Sequence, residues 1–394
     1  MLYYFILGKN PTLSTLEITA WLKKEKWEFK INQNSAEVLL MEIKTPFEPA
    51  KLLDQLGGTI KIGRVLTEAE INKITPELIA SQLTPVAGKF HFGFSTYTLA
   101  KSNFHLPKNF GLEVKRLLKE KNISCRLVTS KEKNLSSVVV QTNNLLKNGA
   151  EICLLTDWDK VYIGQTLTIQ KFAEYSQFDY GRPGRDAHSG MLPPKIAKMM
   201  INLAQLPTSA IILDPFCGSG TILQQASLMG YQNLVGSDIS AKATVDTQKN
   251  FEFTNSPEPT LYQLDSRTLS TRLKPKSTVA IITEPYLGPT LGGHEPMSKI
   301  KKIISELSDL YLKSFIEFKK ILQPGGRVII IFPIINGLPA MNNEQLEQIQ
   351  KLGFKNTLEI PAELNNLTIT PRHSIIYARP DQKVQREIFV FTQK

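Results

Sequence analysis

Apolar positions recur along this chain with two periods, and the period in use changes from one region to the next. "YYFIL" reads as a strand, "LSTLEITAWLKKE" as an amphipathic helix opened by a Ser/Thr cap, and "AEVLLMEI" as a returning strand. These elements predict a small ferredoxin-like unit over residues 1–62. From residue 63 to 170, "FHFGFSTYT" predicts a strand and "GLEVKRLLKEKN" a helix; "SCRLVTS", "SSVVVQTNNLLKNG", "EICLLTD" and "VYIGQTLTIQ" then supply further strand and helix signals, enough for a compact α+β domain. No period holds across residues 171–190, "KFAEYSQFDYGRPGRDAHSG", which reads as a linker. From Met191 the pattern becomes doubly wound. Helix "PPKIAKMMINLAQL", strand "AIILDPF", helix "GTILQQASLMG", strand "NLVGSDIS", helix "AKATVDTQKNFEF", strands "LYQLDS" and "VAIITEPY", a long helix around "KIISELSDLYLKSFIEFKKIL" and strand "RVIIIF" follow in turn. Such alternation predicts an α/β domain over residues 191–394, a mainly parallel sheet with helices on both faces. The closing "HSIIYARPDQKVQREIFVF" reads as two strands joined by a Pro-Asp turn, a hairpin at the sheet edge.

Composition fits this picture. A chain of 394 residues exceeds one ordinary core, so two or three domains are expected. Apolar runs such as "VIIIF" at Val328–Phe332 are far too short for a membrane span, and the opening "MLYYFIL" lacks a basic leader. The three cysteines, Cys125, Cys153 and Cys217, are isolated, which argues against a disulfide framework and against a bound metal and fits a reducing cytoplasm.

Charge changes the picture more. The chain carries a net +11, and residues 101–150 hold ten Lys and Arg against three Glu, a net +7. A polyanionic partner or a merely solvated basic surface would both produce this. Lys115, Arg116 and Lys119 on the helix of Gly111–Asn122 are candidate phosphate contacts. Arg182 and Arg185 of the linker either grip phosphate or pair with Asp179 and Asp186.

The candidate chemistry lies in the doubly wound domain. "LDPFCGSGTIL" joins a strand end, a glycine turn and a helix start, where open α/β sheets hold ligands. Gly218 and Gly220 let a ligand approach the backbone. The spacing departs from G-x-G-x-x-G and lacks a Walker lysine, which disfavors dinucleotide and phosphate cradles. Asp238 closes the next strand, where a carboxylate can accept both ribose hydroxyls, and Asp265 closes the one after, near the place of an adenine. A lone strand-end Asp is usually a helix cap, but Asp214, Asp238 and Asp265 after three successive strands make a nucleoside-shaped set. Finally, "ITEPYLGP" ends an apolar strand abruptly at Glu284, Pro285 and Tyr286.

On these residues the chain resembles the class I S-adenosylmethionine-dependent methyltransferases. "DPFCGSG" matches their cofactor loop, and "EPY" stands where the amino-methyltransferase branch has Asp/Asn-Pro-Pro-Tyr. "GRPGRDAHSGMLPPKIAKMM" is similar to the linker and first helix of THUMP-containing tRNA guanosine-N2 methyltransferases, and "NLSSVVVQTNNLLKNG" with "VYIGQTLTIQ" is similar to their THUMP domain. The resemblance implies a THUMP-like RNA-binding domain over 63–170 and a Rossmann-like methyltransferase domain over 191–394. S-adenosylmethionine would be held by Asp214, Pro215, Phe216, Cys217, Gly218, Gly220, Asp238 and Asp265, and tRNA by Lys115, Arg116, Lys119, Arg182 and Arg185. Glu284, Pro285 and Tyr286 would be the reaction center, offering an acceptor for the target amine, a carbonyl and a stacking ring. The motif has one proline where the family usually has two, so either Glu284 or Thr283 occupies the acceptor place. We favor Glu284, since a carboxylate is the stronger acceptor. An rRNA or DNA amino-methyltransferase, a noncatalytic RNA-binding protein and a dinucleotide-dependent oxidoreductase are the alternatives.

Overall fold

Two separate sheets organize the chain. The computed structural model describes residues 1–85, 88–172, 175, 178, 181–184, 191–379 and 382–394. It divides into two units, one of Met1–Thr15, Lys26–Ala173 and Pro361–Leu367, the other of Leu16–Glu25, Glu174–Ile360 and Thr368–Lys394.

The first unit contains β1 (Leu2–Leu7), the start of α1 (Pro11–Lys24), β2 (Phe29–Asn34), β3 (Val38–Ile43), α2 (Pro49–Gln55), β4 (Thr59–Glu70), α3 (Pro76–Gln82), β5 (Phe90–Thr98), α4 (Phe110–Glu120), β6 (Cys125–Val128), α5 (Ser137–Thr142), β7 (Gly149–Asp157) and β8 (Lys160–Ile169). Its eight strands form one sheet in the order β2-β3-β1-β4-β8-β7-β5-β6. Strand β4 pairs with β1 on one side and β8 on the other, so the boundary expected between residues 62 and 63 falls inside a strand. The expected Ser/Thr cap of α1 is also corrected, because Asn10 Oδ1 accepts from Leu13 N at 3.0 Å.

A charged pair lies at the heart of this sheet. Lys61 Nζ donates to Glu151 Oε1 at 2.5 Å and to Leu135 O at 2.6 Å, with both side chains essentially sealed from solvent. Ser95 Oγ donates to Glu151 Oε1 at 2.6 Å and Thr166 Oγ1 to Oε2 at 2.7 Å. Every oxygen of the buried carboxylate is thereby occupied, the condition under which a charge tolerates burial.

The second unit contains α6 (Pro194–Leu203), β9 (Ile211–Asp214), α7 (Thr221–Leu228), β10 (Asn233–Asp238), α8 (Ala241–Phe253), β11 (Thr260–Gln263), β12 (Thr278–Thr283), α9 (Met297–Ile321), β13 (Leu322–Ile335), β14 (Leu338–Pro339), α10 (Asn343–Lys351), β15 (Phe354–Asn356), β16 (Ile375–Tyr377) and β17 (Val384–Gln393). The main sheet order is β11-β10-β9-β12-β13-β17-β15, a mixed α/β sheet of the Rossmann-like kind. Strands β9 to β13 are parallel, while β17 runs antiparallel to β13. Helix α9 buries Ile300, Ile303, Leu307, Tyr311, Phe315 and Phe318, a stripe at three- and four-residue spacing.

The terminal hairpin forms as expected, with β16 antiparallel to β17 at the sheet edge and β17 itself inside against β13; its Pro-Asp turn lies outside the described residues. One expectation changes here. Helix α1 is not simply amphipathic, since Thr12–Leu22 are all buried. Its later turns count with the second unit, where Asn202 Nδ2 of α6 donates to Glu17 Oε1 at 2.8 Å.

Replacing Lys61 by Met strands the Glu151 carboxylate, and the expected loss of stability is about 3–5 kcal/mol. Urea denaturation measures it. A loss near that of a surface pair, about 1 kcal/mol or less, would mean that Ser95 and Thr166 suffice to hold Glu151.

Candidate active site

After β9 the chain builds β10 and β11 on one side of it, then crosses to place β12 on the other. Ligands collect at the carboxyl ends of strands where the order reverses in this way. A cavity of about 700 Å³ opens there, and its lining includes Asp214 from β9, Asp238 from β10 and Glu284 immediately after β12.

The glycine turn between β9 and α7 forms one wall. Gly218 and Gly220 have φ of +52° and +80°, which side-chain-bearing residues rarely adopt. At Gly220 a Cβ would also stand 2.7 Å from Thr247 Cγ2. Hydrogen bonds fix the turn from several sides. Gly218 N donates to Asp238 Oδ2 at 3.0 Å, Thr247 Oγ1 donates to Gly218 O at 2.8 Å, and Asn250 Nδ2 donates to Ser219 O at 2.8 Å. Asp238 Oδ1 accepts from Ser240 N at 2.9 Å, and the cap of α8 is Ser240 rather than Asp238.

Arg182 requires a correction. Expected to meet RNA, it is 3% exposed. Its Nη1 donates to Thr221 Oγ1 at 2.9 Å and Gln224 Oε1 at 3.0 Å, both on the first turn of α7. A guanidinium with polar partners is stable inside, and here it braces the helix that follows the glycine turn. Two residues on, Gly184 exchanges hydrogen bonds of 2.8 Å with the Asn250 amide. Arg185, the other linker candidate, lies outside the described residues, as do Asp179 and Asp186.

Asp214 is buried at the base of the cavity, and its Oδ1 accepts from Thr283 Oγ1 at 2.7 Å and Phe216 N at 3.2 Å. Burial, aided by the nearby charges of Asp238 and Glu284, pushes its carboxyl up to about 7 against the pull of those two donors. Thr283 is fully buried with its hydroxyl committed to Asp214, whereas the next residue, Glu284, lines the cavity. Glu284 Oε1 accepts from Arg386 Nε of β17 at 2.6 Å. Burial raises the Glu284 carboxyl, and Arg386 opposes that rise. Pro285 also lines the cavity, and the Tyr286 side chain is 53% exposed at its mouth. The Tyr286 carbonyl accepts from the buried Tyr311 hydroxyl at 2.5 Å, which ties the motif to α9.

Pro215, Phe216, Cys217 and Asp265 line the same cavity. Asp265 caps the short helical turn Ser266–Thr271 and is held by Arg267 at 2.6 Å, whose hydrogen bond keeps its carboxyl low. The cavity thus gathers the cofactor candidates and the Glu284–Tyr286 motif. Lys115, Arg116 and Lys119 belong to α4 in the first unit, where Arg116 pairs with Glu120 and Lys119 is exposed. Two features of the site escape sequence reasoning. Ile239 is an apolar side chain left 67% exposed in the cavity, and Arg386 carries no local motif.

A nucleoside with a cationic amino-acid tail needs apolar surface for its base, an acceptor for its ribose, an acid for its ammonium group and close backbone. Ile239, Asp238, Asp214 and Gly218 would meet those needs in turn, so the residues present fit S-adenosylmethionine.

Known proteins agree. The RMKL-like methyltransferase domain family matches residues 182–357, and a DNA methylase family matches residues 90–249. The tRNA (guanine(10)-N2)-dimethyltransferase of Methanocaldococcus jannaschii is 25% identical over 322 residues, 78% of this chain and 88% of the relative. The crystal structure of TrmN from Thermus thermophilus superposes with a TM-score of 0.59 at 15% identity and covers both chains fully. A methyltransferase solved in complex with SAH superposes at 0.51 with 11% identity over 98% of this chain and 97% of its own. Fold and site together define an S-adenosylmethionine-dependent methyltransferase. Within that class, the chain is similar to the tRNA (guanine(10)-N2)-dimethyltransferases.

Two binding outcomes follow from this geometry. A cationic ligand favors the ionized form of Asp214, so S-adenosylmethionine should release protons on binding near neutrality and bind more tightly as pH rises from about 6 to 8. Calorimetry in buffers of different ionization enthalpy measures the release, and Asp214→Asn should abolish it. Asp238→Ala should weaken binding roughly ten- to hundredfold, the worth of a charged hydrogen bond.

Proposed function

We propose that this enzyme methylates the exocyclic N2 of a guanosine in tRNA, at position 10, the nucleotide in the name of the relative that spans most of the chain. The observation that carries the reading is Glu284, which faces the same cavity as the glycine turn. When bound, S-adenosylmethionine supplies a methyl group already activated on a sulfonium. The protein has mainly to hold an amine in line and exclude water. The guanine amine's lone pair is delocalized into its ring, and the Glu284 carboxylate accepts from its N–H to restore nucleophilicity. Tyr286, half exposed at the mouth, stacks on the base once it is turned out of its helix. Thr283 contributes by holding Asp214, since its hydroxyl is engaged there.

In this reading the first unit is a THUMP-like module that grips tRNA through the basic face of α4, with Lys115, Arg116 and Lys119 touching phosphates without reading sequence. Among the described residues no helix is long and apolar enough to cross a membrane and no side-chain group could hold a metal ion. Buried free cysteines and a tRNA substrate point to the cytoplasm. The DNA methylase match stops at residue 249, short of Glu284, and lends a DNA substrate no support at the reaction center.

Methyl transfer from labeled S-adenosylmethionine to tRNA, followed by nucleoside mapping, tests the reading. Glu284→Ala should lower kcat by about a hundredfold or more with little change in cofactor or tRNA affinity, because the interaction strengthens in the transition state. Thr283→Val should instead weaken cofactor binding through Asp214. A collapse of kcat in Thr283→Val with full activity in Glu284→Ala would reverse the two roles. Replacing Lys115 and Lys119 together by Ala should weaken tRNA binding at all sequences and reduce the slope of log affinity against log salt by about 2.

A further inference from the structure

We propose that Arg386 is a positioning residue for methyl transfer, holding the Glu284 carboxylate in the cavity with one oxygen presented to the target amine; the inference rests on the reading of Glu284 given above. The two residues are 102 positions apart, on β17 and at the end of β12, with β13 between those strands in the sheet. Arg386 Nε meets Glu284 Oε1 at 2.6 Å, and the side chains are 6% and 12% exposed. Oε2 has no hydrogen-bond partner among the described residues, while Glu284 lines the cavity. One oxygen is therefore anchored from the sheet and the other is left for a ligand's N–H.

The anchor answers a specific problem of this chain. A Glu side chain has one more rotatable bond than the Asp or Asn of the resembled motif, and its carboxylate would otherwise sample several rotamers. A charged bond to a buried guanidinium removes that freedom. Arg386 is itself fixed by its strand, where it stands opposite Pro333 of β13 and Tyr377 of β16.

The pairing also sets the charge state. The titratable groups facing Glu284 are Asp214 from β9, Tyr311 from α9 and Arg386 from β17. Burial and the Asp214 charge favor the neutral acid, burial keeps Tyr311 uncharged, and Arg386 alone among the three favors the carboxylate. Without the guanidinium, the Glu284 pKa moves up.

The decisive measurement is the ¹³C chemical shift of the Glu284 carboxyl in full-length, Glu-labeled protein, assigned by its loss in Glu284→Gln. Its midpoint should rise by about 1–3 pH units in Arg386→Met, the usual effect of removing an adjacent opposite charge. With tRNA as substrate, the acid limb of the kcat profile should move up by the same amount, kcat at pH 7 should fall about tenfold or more, and KM for S-adenosylmethionine should hold. Arg386→Lys should restore most of the midpoint and only part of kcat, and it serves as the test variant if Arg386→Met does not fold. In the Glu284→Gln background, Arg386→Met should cost little further activity. An unmoved midpoint, or a kcat deficit equal at every pH and additive with Glu284→Gln, would overturn the proposal and leave Arg386 a purely structural residue. If the wild type methylates no tRNA but the midpoint moves, the substrate reading fails and the pairing stands.

Discussion

The site depends on one electrostatic constraint: three carboxylates, Asp214, Asp238 and Glu284, must share a partly desolvated cavity. Such groups repel each other and favor protonation unless donors are aimed at them. Each has received a different solution. Asp214 accepts from a hydroxyl and a backbone amide, Asp238 from two backbone amides, and Glu284 from a guanidinium. The donors in turn dictate local structure. Thr283 must end β12 beside β9, the glycine turn must bend its Gly218 amide toward β10, and β17 must run inside the sheet to bring Arg386 within reach.

The same constraint explains what was legible in the sequence. The glycine turn and the strand-end acids were readable because they are local, each set by one strand, one turn and one helix. Placing Glu284 rather than Thr283 toward the cavity needed the structure, because the strand's twofold alternation puts neighbors on opposite sides but does not say which side is open. Arg386 was silent because its partner lies 102 residues away. Arg182 misled because a charged residue in an aperiodic stretch reads as surface, whereas its partners on α7 let the guanidinium go inside.

Asn250 shows how the aperiodic stretch and the glycine turn become one piece. Fully buried on α8, its amide serves both backbone groups of Gly184 and the carbonyl of Ser219, while its own carbonyl accepts from Gln224 Nε2 at 2.6 Å. A buried amide with its donors and acceptor engaged fixes geometry sharply, since a shift in any partner leaves a polar group unsatisfied. Gly184 is required at this spot, where a Cβ would stand 2.5 Å from Asp246 O.

The division of α1 has a consequence in time. Glu17 is fully buried, and its partner Asn202 lies 185 residues downstream. At a synthesis rate of roughly 5–20 residues per second, the later half of α1 waits on the order of ten to forty seconds for the elements that cover it. During that interval the Glu17 carboxylate lacks the Asn202 amide that meets it in the finished fold, and the helix must wait for that partner.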